Sequence, residues 1–180
     1  MFDESLLEDA EALARADSHG LLRAAASAGA RVRTSLRLAE EAGVSGLRPD
    51  GRPRALLVAG PAPQATAVAD HLSALCAGSC PVELLQADGP APERSRWRLP
   101  GWANPLDLIL LVTPHGTESG LTDLVEQAYR RGSTACAVTP AGSPLAEAVA
   151  QVRGMALPFA DGAPAAAPPG PPTPGPSGPC

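Results

Sequence analysis

Short runs rich in apolar residues, alternating with segments of helical spacing, constrain the fold of this chain more than any other sequence feature. The runs lie at residues 54–59, 81–85, 106–112, 134–138 and 155–159. Runs of this kind are typical of strands that are buried on both faces of a parallel sheet. Strands that alternate with helices predict an α/β fold, a three-layer α-β-α sandwich around a five-stranded parallel sheet.

Two helices are predicted to precede the sheet, over residues 3–17 and about 20–42. In the second helix the spacing of the apolar residues indicates a buried face, and Ser18 is placed to cap the first turn. The residues predicted to face inward are Leu21, Leu22, Ala25, Val32, Leu36 and Ala39. Three more helices are predicted after strands, over about 64–77, over about 118–131 and from Ser143 onward.

Composition divides the chain into three parts. Residues 1–53 are predicted to be an N-terminal helical segment, and residues 54–160 the α/β domain. Residues 161–180 are rich in proline, glycine and alanine. A segment of that composition cannot build a packed core, so a disordered or polyproline-like tail is expected.

Net charge and the absence of lysine exclude several classes of function. The 180 residues carry a formal charge of −5, and all 14 basic residues are arginine. A chain of this charge has no general attraction for nucleic acid or for an anionic membrane. Without lysine, the chain cannot supply a Schiff base, a catalytic lysine or a Walker-type phosphate-binding lysine.

The sequence also indicates a cytoplasmic chain with free thiols. No run approaches ~18 uninterrupted apolar residues, and the acidic N-terminus lacks the basic segment of a signal peptide. Cys76 and Cys80 are four residues apart, but no second Cys/His pair stands at ligand spacing. No metal site and no cofactor are therefore expected.

Two loops are the candidate ligand sites, because each follows a strand and opens a helix. They span residues 60–66 and 113–118. Free amides and the helix dipole at such a place favour an anion such as phosphate, although ordinary capped loops have the same pattern. In the second loop His115 is either an acid/base group or a solvated side chain.

The sequence around the first predicted strand excludes two other classes of domain, the dinucleotide-binding fold and the phospho-receiver domain. Gly60 is followed by Pro61-Ala62-Pro63, so the glycine-rich fingerprint of a dinucleotide fold is missing. The first predicted strand does not end in the acidic residue with which a phospho-receiver domain binds magnesium.

Three stretches of the sequence carry a family resemblance. The first is LLVAGPAPQATAVADHL, residues 56–72, a strand, loop and helix. The second is Trp97-Arg98-Leu99-Pro100, an aromatic-x-Leu-Pro segment ahead of a strand. The third and most specific is residues 107–147, a strand that ends in a loop, then a helix, an Arg-Gly turn and another strand. Together they resemble the sugar-isomerase (SIS) domain family with its Ser-x-Ser-Gly-x-Thr-type phosphate loop, in particular the bifunctional phosphoglucose/phosphomannose isomerases of high-GC actinobacteria.

The resemblance implies the flavodoxin-like sandwich of that family and a sugar phosphate as ligand. It implies that the two loops bind the phosphate through backbone amides and hydroxyls. The residues that it places at the site are Gly60, Gln64 and Thr66 in the first loop and Thr113, His115, Gly116 and Thr117 in the second.

The chain also departs from the family's pattern. Pro63 removes an amide donor from the first loop, and Pro114 and His115 replace the usual aromatic residue and serine of the second. The family's isomerases carry two such domains, with catalytic Glu, His and Lys mainly in the second. The expectation is therefore a phosphosugar-isomerase homologue that lacks the catalytic second domain and is able to form a homodimer. The alternative is a non-catalytic sugar-phosphate-binding or regulatory domain.

Overall fold

The computed structural model describes residues 8–46, 51–89 and 95–160, and within them five parallel strands form one sheet. The strands are β1 (Leu56–Ala59), β2 (Val82–Leu84), β3 (Leu108–Val112), β4 (Thr134–Val138) and β5 (Met155–Leu157). Their order across the sheet is β2-β1-β3-β4-β5. The predicted five-stranded parallel sheet is confirmed, with each strand inside its predicted range.

Five α-helices accompany the sheet in the described ranges: α1 (Ala10–Ala16), α2 (Leu21–Glu41), α3 (Gln64–Leu75), α4 (Ser119–Arg130) and α5 (Pro144–Gln151). A short 3-10 turn, Val44–Gly46, follows α2. Each predicted helix is present. The first is shorter than predicted, and part of its predicted range, residues 3–7, lies outside the described residues.

Apolar side chains cover both faces of the sheet, which gives the three-layer arrangement. On one face Leu57, Ile109 and Leu111 pack with residues of α4 and α5 such as Leu124 and Leu145. On the other face, side chains of β1 and β3 pack with Ala65 and Ala69 of α3. Successive residues of a strand point to opposite faces, so β1 and β3 contribute to both cores.

The chain reverses direction across the sheet between β1 and β3. Since β1 pairs with both β2 and β3, the helices that follow β1 and β3 lie on opposite faces. In a doubly wound sheet this arrangement opens a crevice at the carboxyl ends of the two strands, where ligands bind. The loops that begin at Gly60 and Thr113 leave the sheet at this crevice.

The N-terminal helices differ from the prediction in two respects. Asp17, not Ser18, caps α2: its carboxylate accepts bonds of 2.7 and 2.8 Å from the amides of Leu21 and Leu22. Each oxygen of the Asp17 carboxylate accepts from one of the two amides, so both first-turn donors are satisfied by a single side chain. No residue of α2 is buried.

The predicted inward face of α2 is also wrong. Four side chains of that face are exposed: Leu21, Leu22, Val32 and Leu36. The half-buried residues of α2 are Ala24, Ser27, Ala28, Arg31, Thr34, Ser35, Leu38 and Ala39, so Ala39 alone of the predicted face is partly covered. The Ser35 hydroxyl accepts a bond of 3.0 Å from the amide of Ala160, at the end of the α/β domain.

The predicted division at residue 53 and the tail from 161 stay predictions. Residues 1–7, 47–50 and 161–180 lie outside the described residues. No helix in the described part of the chain is both long and apolar enough to cross a bilayer.

An ion pair joins the amino ends of β1 and β3, at the sheet edge away from the crevice. Arg54 donates to both carboxylate oxygens of Asp107, at 3.0 and 2.8 Å, and to the carbonyl of Trp102. Asp107 is buried and also accepts a bond from the amide of Asn104. The hydrogen bonds from Arg54 are the main reason that the pKa of Asp107 is held below its ordinary value.

We expect Asp107→Asn to flatten the acid dependence of stability. Because the Asp107 pKa is lower in the folded than in the unfolded chain, the pair contributes fully at neutral pH. That contribution is lost as the pH falls below about 4. Urea unfolding at pH 7 should show a loss of about 2 kcal/mol for the variant. The loss should be smaller at pH 3, because the contribution declines as the pH falls toward the folded-state pKa of Asp107.

Asp123→Asn, an exposed change on α4, is the matched control and should behave like the unaltered chain at both pH values. An equal loss for Asp107→Asn at pH 7 and pH 3 would contradict the assignment of the pair.

Candidate functional site

A cavity of about 320 Å³ opens at the carboxyl edge of the sheet, beside the ends of β1 and β2. Its volume is at the lower end of the range for small-molecule sites. Its wall is formed by Gly60, Pro61, Ala62, Thr66, Leu84, Leu85, Gln86, Ala87, Gly89, Ser95 and Trp97. None of these described residues is charged, and most of the polar groups lie near the start of α3 or around Ser95.

The first loop passes directly over the end of β3, and Gly60 makes this close approach possible. A Cβ on Gly60 would lie 1.9 Å from the carbonyl oxygen of Val112. With no side chain there, the loop turns immediately into α3. Gly60 and Thr66 consequently lie on the wall of the same cavity.

Two backbone amides at the start of α3 are free to donate a hydrogen bond to a ligand. The amides of Ala65 and Ala67 bond to the carbonyls of Pro61 and Pro63. The amides of Gln64 and Thr66 have no acceptor among the described residues. Pro63, at the N-cap, provides no side-chain acceptor for them. Unpaired first-turn amides with the positive end of the helix dipole favour an anion at this point.

The second loop is organised around the Thr113 hydroxyl, which makes all its bonds within the loop. It donates to the Glu118 carboxylate, whose two oxygens lie at 2.8 and 2.7 Å. It accepts from the amides of His115 and Gly116, both at 3.1 Å. A hydroxyl has one donor and two acceptor positions, so Thr113 has no capacity left for a ligand.

Glu118 is an acidic side chain buried beside this hydroxyl. It is 7% exposed, and no described Arg or His side chain forms an ion pair with it. Although Glu118 is the N-cap residue of α4, its carboxylate accepts no bond from the amides of the helix. The negative charge therefore lies against the Thr113 hydroxyl at the start of a helix.

Gly116 fixes the tip of the second loop against the segment between β4 and α5. Its φ is +70°, and a Cβ there would lie 2.4 Å from the hydroxyl oxygens of both Thr139 and Ser143. Its carbonyl accepts a bond from the amide of Leu145. The loop thus packs toward α5, and neither it nor Thr113 is part of the wall of the 320 Å³ cavity.

The structure thus separates the seven residues that the sequence singled out. Gly60 and Thr66 line the cavity, and Gln64 is exposed in the same turn of α3. Thr113 and Gly116 are buried in the internal network of the second loop. His115 and Thr117 are exposed on that loop.

Sequence reasoning missed the far wall of the cavity. Trp97 is 2% exposed and packs in the larger core, yet it also contributes to the cavity wall. Its indole N–H is buried and has no hydrogen-bond acceptor among the described residues. The aromatic-x-Leu-Pro segment was the signal that marked this position, but nothing in its spacing indicated a place beside the first loop.

Other groups in the described residues offer less chemistry. No cluster of three or more His, Cys, Asp or Glu side chains suited to a metal occurs there, and Cys76, Cys80 and Cys136 are free thiols. Burial raises the pKa of the Cys136 thiol, which lowers its nucleophilicity at neutral pH. A second cavity, of about 260 Å³, lies at the opposite edge of the sheet, near Gly132 and Arg153.

Comparisons with known proteins give limited information. No family model matches the chain, and no curated protein matches it. Among solved structures, the phosphoheptose isomerase GmhA from Neisseria gonorrhoeae is similar at 19% identity with a TM-score of 0.49, covering 85% of this chain and 86% of the isomerase. A hypothetical protein is similar at 18% identity and the same TM-score, covering 77% of this chain and 67% of its own. Neither likeness is close enough to carry a function to this chain.

Proposed function

We propose that this chain is a sugar-phosphate-binding domain of the SIS type, related to the phosphosugar isomerases. The observation that carries the proposal is the 320 Å³ cavity beside the carboxyl ends of β1 and β2. Gly60 and Thr66 lie on its wall, and the Thr66 amide has no acceptor among the described residues. A ligand phosphate would lie against those amides, and its sugar would extend toward Leu84–Ala87. The sequence resemblance implies glucose 6-phosphate and mannose 6-phosphate. Fructose 6-phosphate, the ketose to which both aldoses isomerise, is the first ligand to test.

The charges and hydrogen-bond donors favour an anion at the start of α3 more than an anion at the second loop. The described wall contains no acidic side chain that would repel a phosphate. The Thr66 hydroxyl and the Thr66 and Gln64 amides can each donate a hydrogen bond. At the second loop the Thr113 hydroxyl and the amides of His115 and Gly116 are already bonded, and the buried Glu118 carboxylate accepts from that hydroxyl.

The same wall favours binding over catalysis by this chain alone. Aldose–ketose isomerisation moves a proton between neighbouring carbons and needs a positioned acid/base group. The described lining residues offer hydroxyls, an amide and an indole, but no carboxylate or imidazole. The described lining residues therefore support a binding or regulatory role.

Calorimetric titration with fructose 6-phosphate and with fructose tests the proposal. We expect the phosphorylated sugar to bind with a dissociation constant of roughly 1 mM, about −4 kcal/mol, and fructose to give no measurable heat. Thr66→Val should weaken binding about fivefold, because it removes one hydroxyl donor and keeps the shape of the side chain.

Thr134→Val is the matched control, an exposed threonine at the start of β4 and thus at the opposite edge of the sheet. It should bind as the unaltered chain does. Equal heats for the two sugars would refute a phosphate site.

A further inference from the structure

The second loop has the form of an anion site that is already filled from within. Its hydroxyl points at the Glu118 carboxylate, and the loop lies at the start of α4, a helix of 12 residues. The amides of Ser119 and Gly120 have no acceptor in the described chain. Donors and dipole would attract a phosphate here, but the buried Glu118 carboxylate lies in the same loop, against the Thr113 hydroxyl.

A capping role does not account for Glu118. Its side chain accepts nothing from the first-turn amides of α4, and no described cation neutralises it. Burying a carboxylate with a single hydroxyl as hydrogen-bond partner is costly. The second loop therefore holds a buried carboxylate, whereas the described wall beside the first loop has no acidic side chain.

We propose that Glu118 is a specificity-determining residue that excludes phosphate from the loop at 113–118 and so directs the phosphate of the ligand to α3. This inference rests on the proposed sugar-phosphate function and fixes the direction in which the sugar lies. With the phosphate at Gln64–Thr66, the sugar is held against Leu84–Ala87 and not against the second loop.

Amide chemical shifts of the full chain, titrated with inorganic phosphate and with fructose 6-phosphate, test the proposal. In the unaltered chain the amides of Gln64 and Thr66 should move and those of residues 115–120 should not. In Glu118→Ala, which removes the charge and frees the Thr113 hydroxyl, the amides of residues 115–120 should respond to phosphate, with at least a tenfold gain in affinity there.

Glu118→Gln keeps the shape and the acceptor for Thr113 and removes only the charge. It should give a smaller gain at the same amides, at least threefold, and it serves if the alanine variant does not fold. Glu126→Ala is the matched control, because it removes an exposed carboxylate from the same helix. It should leave residues 115–120 unresponsive.

The possible failures are distinguishable. Movement of residues 115–120 in the unaltered chain, or no gain in either folded Glu118 variant, would overturn the role of Glu118 while Gln64 and Thr66 could still report binding. Conversely, a gain in the variants with no response of Gln64 and Thr66 in any chain would support the role of Glu118 and refute the proposed function.

Discussion

Replacing Gly60 by alanine is expected to destabilise the domain by about 4 kcal/mol, a large part of the stability of a typical domain. The added Cβ would lie 1.9 Å from the Val112 carbonyl oxygen, which is backbone and part of the central strand β3. Relief requires the loop to move off the sheet, and overpacking of this kind is costly. Thermal unfolding should show a midpoint about 10 °C lower.

Gly78→Ala is the control for the general effect of losing a glycine. Gly78 also has a positive φ, +74°, but a Cβ there meets nothing within 4 Å. Its cost should be about 1 kcal/mol, which reflects the backbone conformation alone. Equal costs at the two positions would contradict the close packing of the first loop on β3, and with it the position of Gly60 at the cavity.

Trp97→Ala should also be severe, with a loss of about 3–5 kcal/mol, because Trp97 is the largest fully buried side chain. Trp97→Phe should cost less than about 1.5 kcal/mol. It keeps most of the apolar volume, and the indole N–H that it removes has no acceptor among the described residues. Chemical denaturation of both variants measures the difference.

Trp102→Ala separates this effect from tryptophan loss in general. Trp102 is 45% exposed, and its ring lies 5.2 Å from the Arg54 guanidinium carbon. A cation–π contact of this kind is worth about 1 kcal/mol, so the variant should be only mildly destabilised. A Trp97→Phe variant as unstable as Trp97→Ala would contradict an unpaired indole N–H.

The sequence was sufficient to predict the sheet because the strands are buried on both faces. Leu108–Val112 and Leu56–Ala59 are short, continuous apolar runs. The helices of such a fold cover the sheet with one face and therefore have apolar residues only at every third or fourth position. The loops at 60–66 and 113–118 followed from those strands. That they leave the same edge of the sheet is a consequence of parallel pairing between β1 and β3.

The interior of the second loop could not be predicted, because its character depends on hydrogen bonds between side chain and backbone. The sequence pattern of strand, loop and helix is the same whether the Thr113 hydroxyl points to solvent or to Glu118. In the folded chain Gly116 lies close to Thr139 and Ser143, which follow β4 and could not be placed beside the loop from its local sequence. By sequence Glu118 is an acidic residue near the start of a predicted helix, and a local pattern does not show whether such a side chain is buried.

The exposed face of α2 shows a related limit. Apolar spacing predicted a buried stripe that includes Leu21, Val32 and Leu36, but these side chains are exposed, and other positions of the helix are half-buried. Periodicity indicates that a helix has an apolar face, and it does not say what that face packs against. The cap of α2 was missed for a simpler reason, because both Asp17 and Ser18 are good capping residues.

The central claim is that a sugar phosphate binds at the carboxyl edge of the sheet, with its phosphate at the start of α3. Amide shift mapping of the full chain with fructose 6-phosphate tests it most directly, because the two described cavities lie at opposite edges. The amide signals of residues 60–66 and 84–87 should shift, and those of residues 132–135 and 152–154 should not. Shifts confined to residues 132–135 and 152–154, or the same map with unphosphorylated fructose, would contradict it.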